Sequence, residues 1–232
     1  MELPKPNENK SLTISALGKT YARYPIKTHI IKTGDDIAEV CKKYAGEYLE
    51  KGDQLFVSER IVAISQGRAF PIDTIIPSSW ANFFVRFVHK TPHGIGLGSP
   101  WTMELAIREA GLPRIFLAAF VSAITKPFGV RGMFYRVVGN NINAIDGPCE
   151  NTLPPYNGYA KLGPKHPNKV ARMLEEVLGV PVAIIDANDL GVNVLGRSQN
   201  ALPENMIQKI MKDNPLGQSH EQTPMAIIRE KS

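Results

Sequence analysis

Cysteine is scarce. Cys41 and Cys149 are the two in 232 residues, and neither sits in a Cys-x-x-Cys pair, so a disulfide framework is excluded. That usage suits a reducing compartment, and a cytoplasmic location is the expectation. Long apolar runs are also missing. The most apolar segment, Ile115–Ile124, falls well short of the ~20 residues that span a bilayer. The first ten residues, M-E-L-P-K-P-N-E-N-K, hold no apolar signal core. No Gly-Lys-Ser/Thr ends a phosphate loop, no Gly-x-Ser-x-Gly presents a serine nucleophile, and no Cys/His spacing makes a zinc site. Without an RNP or helix-turn-helix pattern, nucleic acid is not an expected partner, and neither is a membrane. No segment repeats another.

What is present describes a globular chain. Hydrophobic residues make up 43% and charged residues 21%, and the net charge of +5 tilts it toward anionic partners such as nucleotides and polyanionic metabolites. Pro4 and Pro6 mark residues 1–10 as a flexible arm, leaving 11–232 as one domain. Runs at Thr13–Ala16, Ile26–Ile31, Leu55–Ser58, Val182–Ile185 and Met225–Ile228 read as strands. Ile37, Val40, Cys41 and Tyr44 follow helical spacing, and so do Val170, Met173, Leu174 and Val177, after which Gly179 stops the helix. Further helices are expected over Thr102–Ala110 and 204–212. This order predicts an α+β fold, mixed sheets with packed helices. Leu112–Phe128, flanked by Arg114, Lys126 and Arg131, is the strongest apolar block. It reads as a core helix, with a membrane-surface or dimer-interface helix as the sharper alternative.

Chemistry points to two stretches. Val182–Gly191 (V-A-I-I-D-A-N-D-L-G) is a buried strand that empties into Asp186, Asn188 and Asp189 before Gly191. In Asn140–Asn151, Ile142 and Ile145 suggest a second strand with Asp146 at its end. Oxygen side chains at the ends of rigid strands suit a hard cation beside a phosphate. Asp146, Asp186, Asp189 and Glu221, with the amides Asn188 and Gln218, form the candidate set for magnesium or manganese, although a single Asp in such a place is more often a cap or turn former. The expectation is that the two strand ends converge on one site. The loop Thr91–Pro100 carries Gly94, Gly96 and Gly98, whose backbone amides can approach an anion, or else simply form a connector. His93 and His220 read as loop histidines, His29 as structural, and Cys149 lacks a His partner in sequence.

Five segments carry a family likeness: P-I-K-T-H-I-I-K-T-G-D-D-I-A-E-V at Pro25, G-D-Q-L-F-V-S-E-R-I-V-A-I-S-Q-G-R at Gly52, N-I-N-A-I-D-G at Asn141, V-A-I-I-D-A-N-D-L-G at Val182 and N-P-L-G-Q-S-H-E-Q-T-P at Asn214. Together they resemble the coenzyme F-420 gamma-glutamyl ligase family in its shorter bacterial form. The resemblance implies that fold and an enzyme joining the amino group of L-glutamate to a carboxylate acceptor. GTP (or ATP) is implied as co-substrate, Mg2+ or Mn2+ as the metal, and an acyl phosphate as the route. It implies metal roles for Asp146, for the Asp186–Asp189 motif with Asn188, and for Gln218 with Glu221. The matched segments put Ile26, Lys27, Ser58 and Glu59 at the nucleotide, and the glycine-dense loop adds Gly96 and Gly98 as candidates. A homodimer is implied as well. Ala63-Ile64 stands where the family usually has Ser-Lys, which keeps open a binding protein without turnover, or a ligase for another acceptor such as a folate.

Overall fold

The computed structural model of the chain describes residues 2–88, 95–130, 132–139, 141–150, 152–188, 191–217 and 219–231. Among them the strands in chain order are β1 (Thr13–Ala16), β2 (Lys19–Ile26), β3 (Gln54–Ser58), β4 (Ala69–Pro71), β5 (Tyr159–Lys161), β6 (Val182–Asn188), β7 (Gly191–Arg197) and β8 (Met225–Lys231). The helices are α1 (Ile37–Ala45), α2 (Glu59–Ser65), α3 (Ser79–Phe84), α4 (Pro100–Ala110), α5 (Leu112–Thr125), α6 (Met133–Val138), α7 (Pro167–Leu178) and α8 (Glu204–Ile210). The fold is α+β, as the sequence predicts. It divides into two compact units, Met1–Gly67 with Pro164–Ser232, and Arg68–Gly163.

The first unit is a six-stranded sheet in the order β1-β2-β8-β3-β6-β7. β3 and β6 run parallel, and the other pairings are antiparallel, so the sheet is mixed. Its central strands are apolar on both sides because both faces are covered. Phe56, Ala183, Ile185, Ala226 and Ile228 meet Ile207, Ile210 and Met211 of α8 and the residues after it. The alternate residues Leu55, Val57, Val182, Ile184 and Ile227 are also fully buried, and α7 packs on β6 and β7. Local signals start and stop the helices. Asp36 caps α1, its Oδ1 accepting from the amides of Ala38 and Glu39 at 2.8 and 3.4 Å, and Gly179 in the left-handed conformation closes α7. Residues Asn7 and Lys10 of the N-terminal arm are tied down: Asn7 Nδ2 donates to the Pro215 carbonyl and Thr223 Oγ1, and Lys10 Nζ to the Asp213 carbonyl.

The second unit is mostly helical, with a two-stranded sheet of β4 and β5. Its core gathers Phe84, Leu97, Met103, Leu105, Ile115, Val138 and Ile142 among others. Two expectations are corrected here. Over its described residues, 141–150, the Asn140–Asn151 stretch is not a strand, because a 3-10 turn spans Ile142–Ala144, closed by the Ala144 amide on the Asn141 carbonyl at 2.9 Å. Ile142 and Ile145 lie three apart, which is the repeat of a 3-10 turn rather than a strand, and both are buried. The apolar block does form a helix, α5, but it is not a core helix. Ile115 and Ala118 are its buried residues, while Phe116, Leu117, Phe120 and Ile124 face outward. Its apolar residues surround the whole helix, and packing against α4 and α6 covers part of that circumference.

Candidate functional site

The antiparallel register of β2 on β8 pairs Ile26 with Met225. The chain leaving β2 and the chain entering β8 therefore share one end of the sheet, and the Thr28 amide donates to the Gln222 carbonyl at 3.0 Å. Between them lies a groove of about 450 Å³, lined by residues including Ile26, Lys27, Lys43, Tyr44, Tyr48 and Glu221. Ile26 ends the strand as a buried floor, and Lys27 is the first exposed residue beyond it.

Glu221 is built into this groove by its own loop. Gly217 and Thr223 form a bridge, with the Thr223 amide on the Gly217 carbonyl at 3.0 Å. The turn inside it passes so close that a Cβ on Gly217 would lie 2.6 Å from Glu221 Cβ. Glycine is what allows the carboxylate to fold back against the loop. Among the described residues Glu221 Oε2 is buried with no hydrogen-bond partner, and the His220 ring, 81% exposed, comes no closer to the carboxylate than 3.9 Å. A buried carboxylate oxygen left unpaired is costly to the folded chain and marks a place where a cation or donor would bind. Gln218 and Asp189 lie outside the described residues.

Asp186 and Asn188 sit on β6, which continues through Asn188 rather than ending at Ile185. Asp186 pairs with Asn193 and Asn188 with Gly191 across the hairpin to β7. The side chains share one face of the strand, with Asn188 Nδ2 reaching Asp186 Oδ1 at 3.4 Å. Ser58 and Glu59 occupy the turn from β3 into α2. The Ser58 hydroxyl accepts from the Arg60 amide at 3.3 Å as the helix cap, and Glu59 is buried in the first turn, where a helix N-terminus favours a carboxylate. Ala63 and Ile64 are buried in α2. Among the described residues no three His, Cys, Asp or Glu side chains cluster to hold a metal.

In the second unit, Asp146 exchanges both backbone hydrogen bonds with Lys161, at 3.1 and 2.9 Å, and its Oδ1 accepts from the Gly147 amide at 2.9 Å. Lys161 is 4% exposed and donates from Nζ to the Ala144 carbonyl at 2.9 Å. Sequence reading passed over this lysine, although a lone cation in a run as apolar as Tyr159–Gly163 is an available signal. Gly96, with a φ of +47°, and Gly98 shape a turn in which the Gly98 amide already donates to the Ile95 carbonyl at 2.7 Å. That turn leads into the Ser99–Thr102 capping box of α4. Gly94 and His93 lie outside the described residues.

Sequence reasoning also missed another residue of the groove. Tyr44 falls on the apolar spacing of α1, yet it lines the groove and its hydroxyl lies 3.0 Å from His29 Nδ1. His29 stands in the loop after β2 rather than on a strand, and its Nε2 is 3.0 Å from Asp35. The Lys32 amide and His29 together hold the Asp35 carboxyl below its ordinary value. Cys41 and Cys149 are both free thiols, and burial raises the Cys41 thiol to about 12, which leaves it inert.

No curated protein matches this chain. A family model described as F420-0:Gamma-glutamyl ligase matches residues 25–189.

Proposed function

This chain belongs to the F420-0:gamma-glutamyl ligase family and is a ligase of that kind, and from that premise we propose a nucleotide-driven amide ligation. L-glutamate, or a related amino acid, is joined through its amine to a carboxylate acceptor. The acceptor carboxylate attacks the γ-phosphorus of GTP or ATP, the bond to the nucleoside diphosphate breaks, and an acyl phosphate forms. The amine then attacks the acyl carbon, phosphate leaves, and the amine gives up a proton to solvent. Such a reaction asks a protein mainly to position anions and offset their charge.

What supports this reading is the groove at the end of β2 and β8, where Lys27 and the unpartnered Glu221 oxygen line one wall-to-wall space. Lys27 and Lys43 are placed to attract phosphate or carboxylate oxygens, and Tyr44 and Tyr48 to direct hydrogen bonds. The residues fit a divalent cation, magnesium or manganese: the orphaned Glu221 oxygen calls for one. Magnesium and manganese complete their shells with water and phosphate oxygens. Glu221, Asp186 and Asn188 are the candidate ligands in the first unit, with Asp189 and Gln218, and Asp146 is the candidate in the second. When bound, the cation would offset charge on the phosphates.

The test is phosphate release from GTP and ATP with a panel of carboxylate acceptors, with and without L-glutamate and manganese. Release that needs both, and an amide product by mass spectrometry, is the expected result. No turnover with any acceptor while manganese and nucleotide bind would instead select a second reading. Ala63 and Ile64, buried where the family usually has Ser-Lys, favour that reading: a nucleotide-binding protein of the same fold without turnover.

A further inference from the structure

We propose that the second unit docks on anionic lipid surfaces through the outward side of α5 and the aromatic residues beside it. Between Ile115 and Ile124 every exposed position of α5 is apolar, among them Phe116, Leu117, Phe120 and Ile124. A helix of a lone water-soluble chain puts polar residues on that side, so this one is inverted. The apolar surface continues onto α3. Trp80 lies edge-on to Phe116 with centroids 4.9 Å apart, and Phe83 leads on to Phe87 at 5.2 Å. Phe87 and Phe128, 68% and 81% exposed, extend it at either end.

Charge decides what covers this face. From Glu109 to Asp146 the chain has no acidic residue between them, yet it carries Arg114, Lys126, Arg131 and Arg136. Arg86, Lys126 and Arg136 are exposed, and none forms an ion pair among the described residues. The second unit as a whole holds nine Lys and Arg against five Asp and Glu, so most of the chain's net +5 resides there. A second copy meeting this face about a two-fold axis would bring two surfaces of the same positive sign together, which repel. An anionic bilayer instead receives aromatic and aliphatic side chains at the acyl boundary while Lys and Arg reach the headgroups. With 14 residues α5 lies in that interface plane, and among the described residues no helix is long and apolar enough to cross a membrane. It takes up the membrane-surface alternative for the apolar block. It is independent of the ligase reading.

The experiment is co-sedimentation of the full chain with phosphatidylcholine vesicles, with and without phosphatidylglycerol, at low and high salt. Trp80 emission, read in a Trp101→Phe background, provides a second readout. Binding to the phosphatidylglycerol vesicles with a blue shift, weakened by salt, is expected. The paired change Lys126→Gln and Arg136→Gln should weaken it about 25-fold, at about fivefold per cation. Phe120→Ser with Phe128→Ser should lower it tenfold or more, with circular dichroism confirming the fold; should that pair not fold, the glutamine pair and the salt series still decide. Equal binding to both kinds of vesicle, or none, overturns the proposal. So does a concentration-dependent dimer in sedimentation velocity that Phe120→Ser dissolves, which would assign the face to a second copy.

Discussion

Glu221→Gln separates a functional carboxylate from a structural one, because the two roles predict opposite signs. The substitution keeps the shape of the side chain and removes its charge. In the ligand-free protein the carboxylate costs stability, since among the described residues Oε2 is buried without a partner, and the His220 ring, 3.9 Å away and 81% exposed, is a cation only when protonated. An ion pair that exposed contributes next to nothing. A neutral amide is less costly to bury unpaired, so the variant should gain about 1 kcal/mol, or roughly 2–4 °C in melting temperature for a chain of this size. Binding of a divalent cation with nucleotide should move the other way. Opposite unit charges about 4 Å apart attract by roughly 4 kcal/mol at an effective dielectric constant of about 20. The Glu221 side chain is 28% exposed, so solvent screening reduces this to about 2 kcal/mol, close to thirtyfold in affinity. Differential scanning fluorimetry without ligand and titration calorimetry with manganese and GTP read the two effects. A variant that melts lower and binds unchanged would refute the assignment of Glu221 to the ligand.

Other substitutions test the frame that holds the groove. Gly196→Ala would place a Cβ 2.4 Å from the Pro167 carbonyl carbon and 2.5 Å from the Asn168 nitrogen, backbone atoms that cannot give way, so the urea midpoint should fall by the equivalent of about 3 kcal/mol. Arg23, 1% exposed, donates to Asp213 and to the carbonyls of Ile210 and Ser11; Arg23→Met should lose about 3 kcal/mol by calorimetric melting, and adding Asp213→Asn should recover part of it. Acid should weaken both units. Burial alone would raise the Asp213 and Glu104 carboxyls, but Arg23 in one case, and Ser78 with Arg108 in the other, hold them below their ordinary values. Groups whose folded pKa is depressed stabilise fully above the unfolded value, about 4, and lose that contribution as pH falls through the folded pKa. Urea midpoints that stay flat from pH 5 to about pH 3 would contradict this.

The candidate site was legible in pieces. Glu221 stood out in a glycine-containing acidic loop and Lys27 in a matched family segment, inside a run that reads as a strand, and nothing local says that they meet. The register of Ile26 on Met225 says it. Tyr44 was hidden because helical spacing reports which face a residue occupies and not what its hydroxyl touches; only the fold brings His29 against it. The 3-10 turn before Asp146 escaped because two isoleucines three residues apart satisfy several periods until the Asn141 carbonyl is seen to close the turn.

By itself the sequence determined the local grammar. The Asp36 cap, the Gly179 stop, the buried strand at Val182 and the amphipathic α7 depend on interactions within a few residues, and such interactions are written in order along the chain. Tertiary structure alone decided which side of α5 is left facing out, and that the two ends of the chain build one groove with an unpaired carboxylate inside it. Both outcomes depend on which strands and helices become neighbours: α4 and α6 cover one side of α5, and the register of β2 on β8 sets the groove, and no one segment's pattern fixes either.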